Sequence, residues 1–149
     1  MPAAVPQRPL RVLLVDDDPV FRELLAFVLR TDAGAEIVGQ GCDGVEGVEL
    51  AQALHPDVVV MDLRMPHMDG FEATRQITES VPEARILVVS SSKERGDIER
   101  ATQAGAAAYL PKDRAVADVA GAITRLRQAG AQARGRFLSH FFTRRLVFG

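Results

Sequence analysis

Five short apolar runs, each followed by a segment whose apolar residues recur at three- and four-residue spacing, constrain this chain more than any other feature. The runs at 11–15, 35–40, 57–61, 85–89 and 107–110 read as buried strands. The segments at 19–31, 43–54, 71–79, 93–104 and 115–129 read as helices. Their expected inward faces are Phe21, Leu24, Leu25, Val28 and Leu29 in the first, Val45, Val48 and Ala51 in the second, Phe71, Thr74 and Ile77 in the third, and Val116, Val119, Ala120, Ile123 and Leu126 in the last. Asp18 suits an N-cap and Pro19 the first helical position. Strands alternating strictly with helices predict an α/β, doubly wound fold with a parallel sheet. Strands that are apolar nearly throughout fit a sheet covered on both faces.

In such a sheet, ligands bind beyond the carboxyl ends of the strands. Asp16, Asp17 and Asp18 follow the first run, Asp62 the third, Ser90, Ser91 and Ser92 the fourth, and Lys112 the fifth. Three consecutive carboxylates repel one another by roughly 1 to 4 kcal/mol per pair, depending on the local dielectric. A hard divalent cation relieves that repulsion if Asp16, Asp17 and Asp62 share one site, and Mg²⁺ suits a site with few carboxylates and several waters. Asp18 is explained better as a helix cap. A carboxylate beside Mg²⁺, facing a lysine and a hydroxyl, suits phosphoryl transfer. Asp62 would be the nucleophile that becomes an acyl phosphate, with Lys112 and the ion neutralising the phosphoryl oxygens and Ser90 donating a hydrogen bond.

With 149 residues and an apolar fraction of 47%, the chain can bury one core. Its formal charge of −2 makes no general case for nucleic acid or membrane. One cysteine, Cys42, excludes an internal disulfide, suits a reducing cytoplasm, and reads as a small filler residue. No apolar run is long enough for a membrane span, and the proline-rich start over 1–9 reads as a disordered lead-in. His55 and His67, each beside a proline, read as surface residues, and Met65 and Met68 as loop packing.

The Asp pair after the first strand, "DLRMPHMDG" after the third, a hydroxyl after the fourth and a lysine after the fifth together resemble the receiver domain of two-component response regulators. The resemblance spans residues 11–129, giving a receiver domain over 10–130. It implies a flavodoxin-like (βα)5 fold with strand order 2-1-3-4-5. It implies that Asp62 takes a phosphoryl group from a sensor histidine kinase, and that Asp17, Asp62 and the Arg64 backbone carbonyl ligate Mg²⁺, with Asp16 acting through water. It further implies that Ser90 and Tyr109 are the switch pair and that the Ser91 backbone takes part. A chain of this kind signals by a changed surface and is not an enzyme acting on a separate substrate. Three positions depart from the common pattern: Pro111 precedes the lysine and Asp113 follows it, and Ser90 stands where threonine is more usual. Arg64, two residues beyond the nucleophile, is expected to obstruct attacking water and slow the loss of phosphate. It also occupies the place where an aspartyl phosphatase would carry its second acid. The contrasting expectation is a receiver fold that acts as an interaction or dimerisation module without phosphorylation.

Residues 131–149 hold four arginines, no acid and Phe137, Phe141, Phe142 and Phe148. This stretch is similar to the linker that follows the receiver in the NarL/FixJ-type subfamily, where a helix-turn-helix output domain regulates transcription. A homodimer through a receiver face or this tail is expected. Direct DNA binding is not, because no reading helix is evident.

Overall fold

The computed structural model describes residues 8–132. All but the last two residues of the expected lead-in, and all but the first two of the expected apolar and basic tail, lie outside the described residues. Ten elements alternate: β1 Arg11–Val15, α1 Pro19–Ala33, β2 Glu36–Gly41, α2 Gly44–Leu54, β3 Val58–Met61, α3 Gly70–Ser80, β4 Arg85–Ser90, α4 Arg95–Ala104, β5 Ala108–Pro111 and α5 Lys112–Gln132. The five strands form one parallel sheet in the order β2-β1-β3-β4-β5. The expected doubly wound architecture is therefore the one observed.

Side-chain alternation along the strands divides the core in two. Val12, Leu14, Val58, Val60, Leu87, Val89, Ala108 and Leu110 face α1 and α5. Leu13, Val15, Val59, Met61, Ile86, Val88 and Tyr109 face α2, α3 and α4. Because both faces are covered, period-two alternation places a hydrophobe on each side, and the strands read as continuous apolar runs.

Helix ends follow local chemistry. Asp18 caps α1, accepting from the Val20 and Phe21 N–H groups, with Pro19 at the first helical position. Asp43 and Asp69 cap α2 and α3 by accepting from the N–H groups of Glu46 and Glu72. Gly34 ends α1 in the left-handed region, at φ 60°.

Three helices are rotated from the expected faces. Val45, Leu24 and Val116 are exposed, not inward. In α2 the inward face is built of small residues, Gly44, Gly47 and Ala51, with Val48. This lets the helix approach the sheet so closely that a Cβ on Gly47 would stand 3.0 Å from Val15. In α1, Ala26 takes an inward place beside Leu25, Val28 and Leu29. Leu24 is left outside with Val20 and Phe27, so the three form an exposed stripe at helical spacing. In α5, Ala115, Val119, Ala122, Ile123 and Leu126 are buried, which turns Val116 outward. Small residues carry little hydropathy, so patterning by large apolar residues misplaces such faces.

Cys42 is also corrected: it is exposed and not core filler. Its Sγ donates to the Glu46 carboxylate at 2.9 Å, and this bond leads the causes that raise the thiol pKa. His55 and His67 are exposed, both at positive φ, and His55 terminates α2.

Candidate phosphoryl-acceptor and metal site

The carboxyl edge of the sheet gathers side chains from β1, β3 and the start of α5. Asp16 and Asp62 lie one residue beyond β1 and β3, which are neighbours in register, Val15 opposite Met61. The Asp62 N–H donates to the Val15 carbonyl at 2.9 Å, extending the ladder by one bond and fixing the two carboxylates side by side. Both residues are buried, whereas Asp17 is exposed. One carboxylate oxygen from each of Asp16, Asp17 and Asp62 lies within 4.8 Å of the others. Lys112, the first residue of α5, sets its Nζ 3.0 Å from Asp16 Oδ2 and 3.4 Å from Asp62 Oδ2. The Phe21 ring lies under this ammonium, 4.9 Å from Nζ to the centroid.

The loop between β3 and α3 is held by close backbone approaches. Gly70 donates to the Leu63 carbonyl at 2.8 Å. A Cβ there would meet the Asp62 carbonyl oxygen at 1.9 Å, so only glycine fits without moving the backbone of Asp62. Gly44 donates to the Met68 carbonyl at 3.1 Å, and a Cβ at this position would stand 2.4 Å from that oxygen. The close approaches of Gly44 and Gly70 therefore clamp the loop that follows Asp62. Met65 and Met68 pack against the core from this loop, as expected.

Electrostatics at the site are unbalanced. Burial, and then the neighbouring Asp16 charge, push the Asp62 carboxyl up to about 6, against the opposing pull of Lys112. Burial works against the Lys112 ammonium too, but the hydrogen bond to Asp16 and the charges of Asp62 and Asp16 outweigh it and leave its pKa raised. Three carboxylates face one ammonium. An all-oxygen donor set with excess negative charge and one strained carboxylate fits a divalent hard cation, and Mg²⁺ in particular. Both Asp16 oxygens already have partners, Oδ1 accepting from the Asp18 N–H at 2.8 Å and Oδ2 from Lys112.

Of the remaining expected residues, Ser90 ends β4 on the same edge, Ser91 and Arg64 follow β4 and β3, and Tyr109 lies within β5 opposite Val88. Ser90, fully buried at the end of β4, has its hydroxyl oxygen accepting from the Ser92 N–H at 3.1 Å. Ser91 is exposed beside it. Tyr109 on β5 points into the core, and its hydroxyl donates to the Ser92 carbonyl at 2.8 Å. Arg64, exposed in the loop after β3, ion-pairs with Asp97 of α4 at 3.1 Å. Asp97 also accepts from the Ser92 hydroxyl at 2.6 Å. Ser92 and Asp97 thus link Arg64, Tyr109 and α4; Ser92 stands with the hydroxyls after the fourth strand, whereas Asp97 carries no signal in the sequence. Arg22, also unforeseen, donates to the Asp16 carbonyl at 2.5 Å.

Comparisons with known proteins agree with this fold. The model of the response regulator receiver domain matches residues 12–124. A protein-glutamate methylesterase/protein-glutamine glutaminase of Myxococcus xanthus is 50% identical over 107 residues, covering 70% of this chain and 30% of that protein. The transcriptional regulatory protein LiaR of Bacillus subtilis is 42% identical over 114 residues, covering 76% of this chain and 54% of LiaR. The chain therefore spans about half or less of the length of these relatives. Among solved structures, a LuxR-family two-component response regulator from Aurantimonas is 32% identical with a TM-score of 0.77, covering 91% of this chain and 96% of the other. The response regulator domain of Thermotoga maritima CheB is also 32% identical, with a TM-score of 0.75, covering 85% of this chain and all of that one. With this fold, these strand-end carboxylates and these relatives, the chain belongs to the response regulator receiver domain family of two-component systems.

Proposed function

We propose that Asp62 accepts a phosphoryl group from a phosphohistidine of a sensor histidine kinase and that the resulting acyl phosphate changes the surface the chain offers to a downstream output. The observation that carries this reading is the convergence of Asp62, Asp16, Asp17 and Lys112 on one sheet edge. An Asp62 carboxylate oxygen attacks phosphorus in line, the P–N bond breaks, and the imidazole leaves with its electron pair and takes up a proton. Attack requires the ionised carboxylate, which a pKa of about 6 supplies at neutral pH. Lys112 stays charged and sits 3.4 Å from the acceptor carboxylate, placed to neutralise a phosphoryl oxygen. Mg²⁺ held by Asp17, Asp62 and the Arg64 carbonyl, with Asp16 acting through water, would supply the charge that lets a dianionic phosphoryl group approach three carboxylates.

Ser90 and Tyr109 form the switch. The Ser90 hydroxyl turns toward the new phosphoryl group, the Ser91 backbone N–H adds a donor, and the Ser92–Tyr109–Asp97 connections rearrange, moving α4 and β5. The exposed stripe Val20, Leu24 and Phe27 lies on the helix that leaves Asp16–Asp18, where a partner bringing phosphohistidine to Asp62 meets apolar surface. The same stripe is available to a second copy. The relatives named as transcriptional regulators support transcription as the output of the natural protein. Among the described residues, no helix is long and apolar enough to cross a membrane, and a cytoplasmic location is proposed on the function alone.

Acetyl phosphate or beryllofluoride with Mg²⁺ tests the reading. A mass increase of one phosphoryl group on the wild-type chain, absent in Asp62→Ala, supports it. Labelling of neither protein assigns the chain to the phosphorylation-independent class, and equal labelling of both removes Asp62 as the acceptor. Arg64→Ala is expected to speed loss of phosphate several-fold, measured by decay of labelled protein; an unchanged rate removes Arg64 from that role.

A further inference from the structure

The opposite, amino edge of the sheet carries a second cluster of charge. Arg8, Leu10, Asp57, Val58, Arg85 and Arg127 line a cavity of about 150 Å³, large enough for several waters. Three guanidiniums and one carboxylate leave its wall with a net charge of +2. That carboxylate is fully engaged. Arg8 forks onto both Asp57 oxygens at 2.7 Å, and the Arg11 N–H donates to Asp57 Oδ2 at 2.9 Å. Arg127 donates to the Arg8 carbonyl, which ties α5 to the chain just before β1. Arg85, at the start of β4, finds no acceptor for its side chain among the described residues, and its Nε is buried without a partner. That nitrogen is out of solvent reach; the terminal nitrogens of Arg85, which also find no acceptor among the described residues but are not buried, are the donors left for an anion that enters the cavity.

We propose that this cavity is a binding site for a small tetrahedral oxyanion, inorganic phosphate or a phosphate monoester, held by Arg85 and Arg127. The planar guanidinium presents paired donors that match two oxygens of such an anion. The volume admits one phosphate group with waters and does not require the wall to open. The site is separated from Asp62 by the length of β3, so its occupancy does not depend on the phosphoacceptor chemistry.

Titration of the full chain with inorganic phosphate, without Mg²⁺ and at constant ionic strength set by chloride, tests this by amide resonance shifts. The expected result is saturable shifts at Leu10, Val58 and Ile86 in the millimolar range, separate from any at Asp62 or Lys112. Arg85→Met keeps the aliphatic stem and is expected to weaken binding tenfold or more, and Arg127→Gln to weaken it less. Acetate at the same concentration should leave these amides in place. No shift at this edge, shifts undiminished in both variants, or equal shifts with acetate would overturn the proposal. If Arg85→Met fails to fold, the Arg127→Gln titration decides alone.

Discussion

Replacing Asp62 with asparagine tests the electrostatic account of the site without a kinase. The folded carboxyl has a pKa of about 6 against the ordinary 3.8, because burial and Asp16 disfavour its charge. A folded pKa raised above the unfolded one means that the folded state holds the proton more tightly, so stability falls as pH rises between the two values. The full gap is worth about 3 kcal/mol at 1.36 kcal/mol per pH unit, and the penalty is nearly complete at pH 7.5. At pH 4.5 the folded carboxyl is neutral while the unfolded one is mostly ionised, and only about 1 kcal/mol remains. Asparagine never takes on the charge, and its amide oxygen can still accept from the Leu63 N–H, a 2.8 Å bond in the wild type. The variant is therefore expected to be more stable than wild type by about 1 to 3 kcal/mol at pH 7.5 without Mg²⁺, or about 3 to 10 °C in Tm. The gain should shrink to about a third at pH 4.5. If the proposed Mg²⁺ site is real, the gain should also shrink at pH 7.5 when Mg²⁺ is added, because an ion held by the wild type would stabilise it by mass action. Thermal melts of both proteins under these three conditions make the measurement. A variant no more stable than wild type at pH 7.5, or a gain as large at pH 4.5, would refute the reasoning.

Lys112→Met leaves two buried carboxylates facing each other without their ammonium, and urea denaturation at pH 7.5 without Mg²⁺ should show a loss of about 2 to 3 kcal/mol. Asp57→Asn has the opposite sign to Asp62→Asn. The Arg8 hydrogen bond holds Asp57 below the usual carboxylate range, so its contribution is present at neutral pH and lost as pH falls through the folded pKa. Urea denaturation at pH 7 should read a loss of about 1 kcal/mol that vanishes in acid. Leu24→Lys with Phe27→Lys should alter stability by less than about 1 kcal/mol, since both side chains are exposed. The pair should leave acetyl phosphate labelling unchanged and slow transfer from the cognate kinase, read by labelled phosphate on gels.

The fold was legible because the five strands are buried on both faces, and such strands announce themselves as unbroken apolar runs. The acceptor site was legible for a related reason. Asp16, Asp17, Asp62 and Lys112 each stand within a few residues of a strand end, so topology alone brings them to one edge. Helix rotation was less legible, since Gly47 in α2 and Ala26 in α1 are small residues that set close packing while weighing little in any apolar pattern. Least legible were contacts among residues with no shared periodicity. Ser92 and Asp97 connect Arg64 to Tyr109, and Arg8, Asp57, Arg85 and Arg127 come from four distant points of the chain. In sequence, Asp97 and the four residues of the amino edge read as ordinary solvated charges. Only the folded chain shows which of them meet.

The two aspartates that flank β3 show what separates a satisfied carboxylate from one short of counter-charge. Asp57 precedes the strand and Asp62 follows it, and both sit against neighbouring strands of the same sheet. Asp57 meets an arginine fork and a backbone N–H, and its charge is the favoured form. Asp62 meets a second buried carboxylate and shares its one ammonium with it, and its charge is the disfavoured form. Exchanging burial for ion pairing at the second position would weaken the proposed binding of a divalent cation and a phosphoryl group, because a satisfied carboxylate gains little from either. The strain at Asp62 is tolerable because the ladder bond to Val15 and the Gly70 and Gly44 approaches hold its backbone whatever its charge. The reactivity proposed for Asp62 thus rests on a deficit of counter-charge that the surrounding fold is rigid enough to maintain.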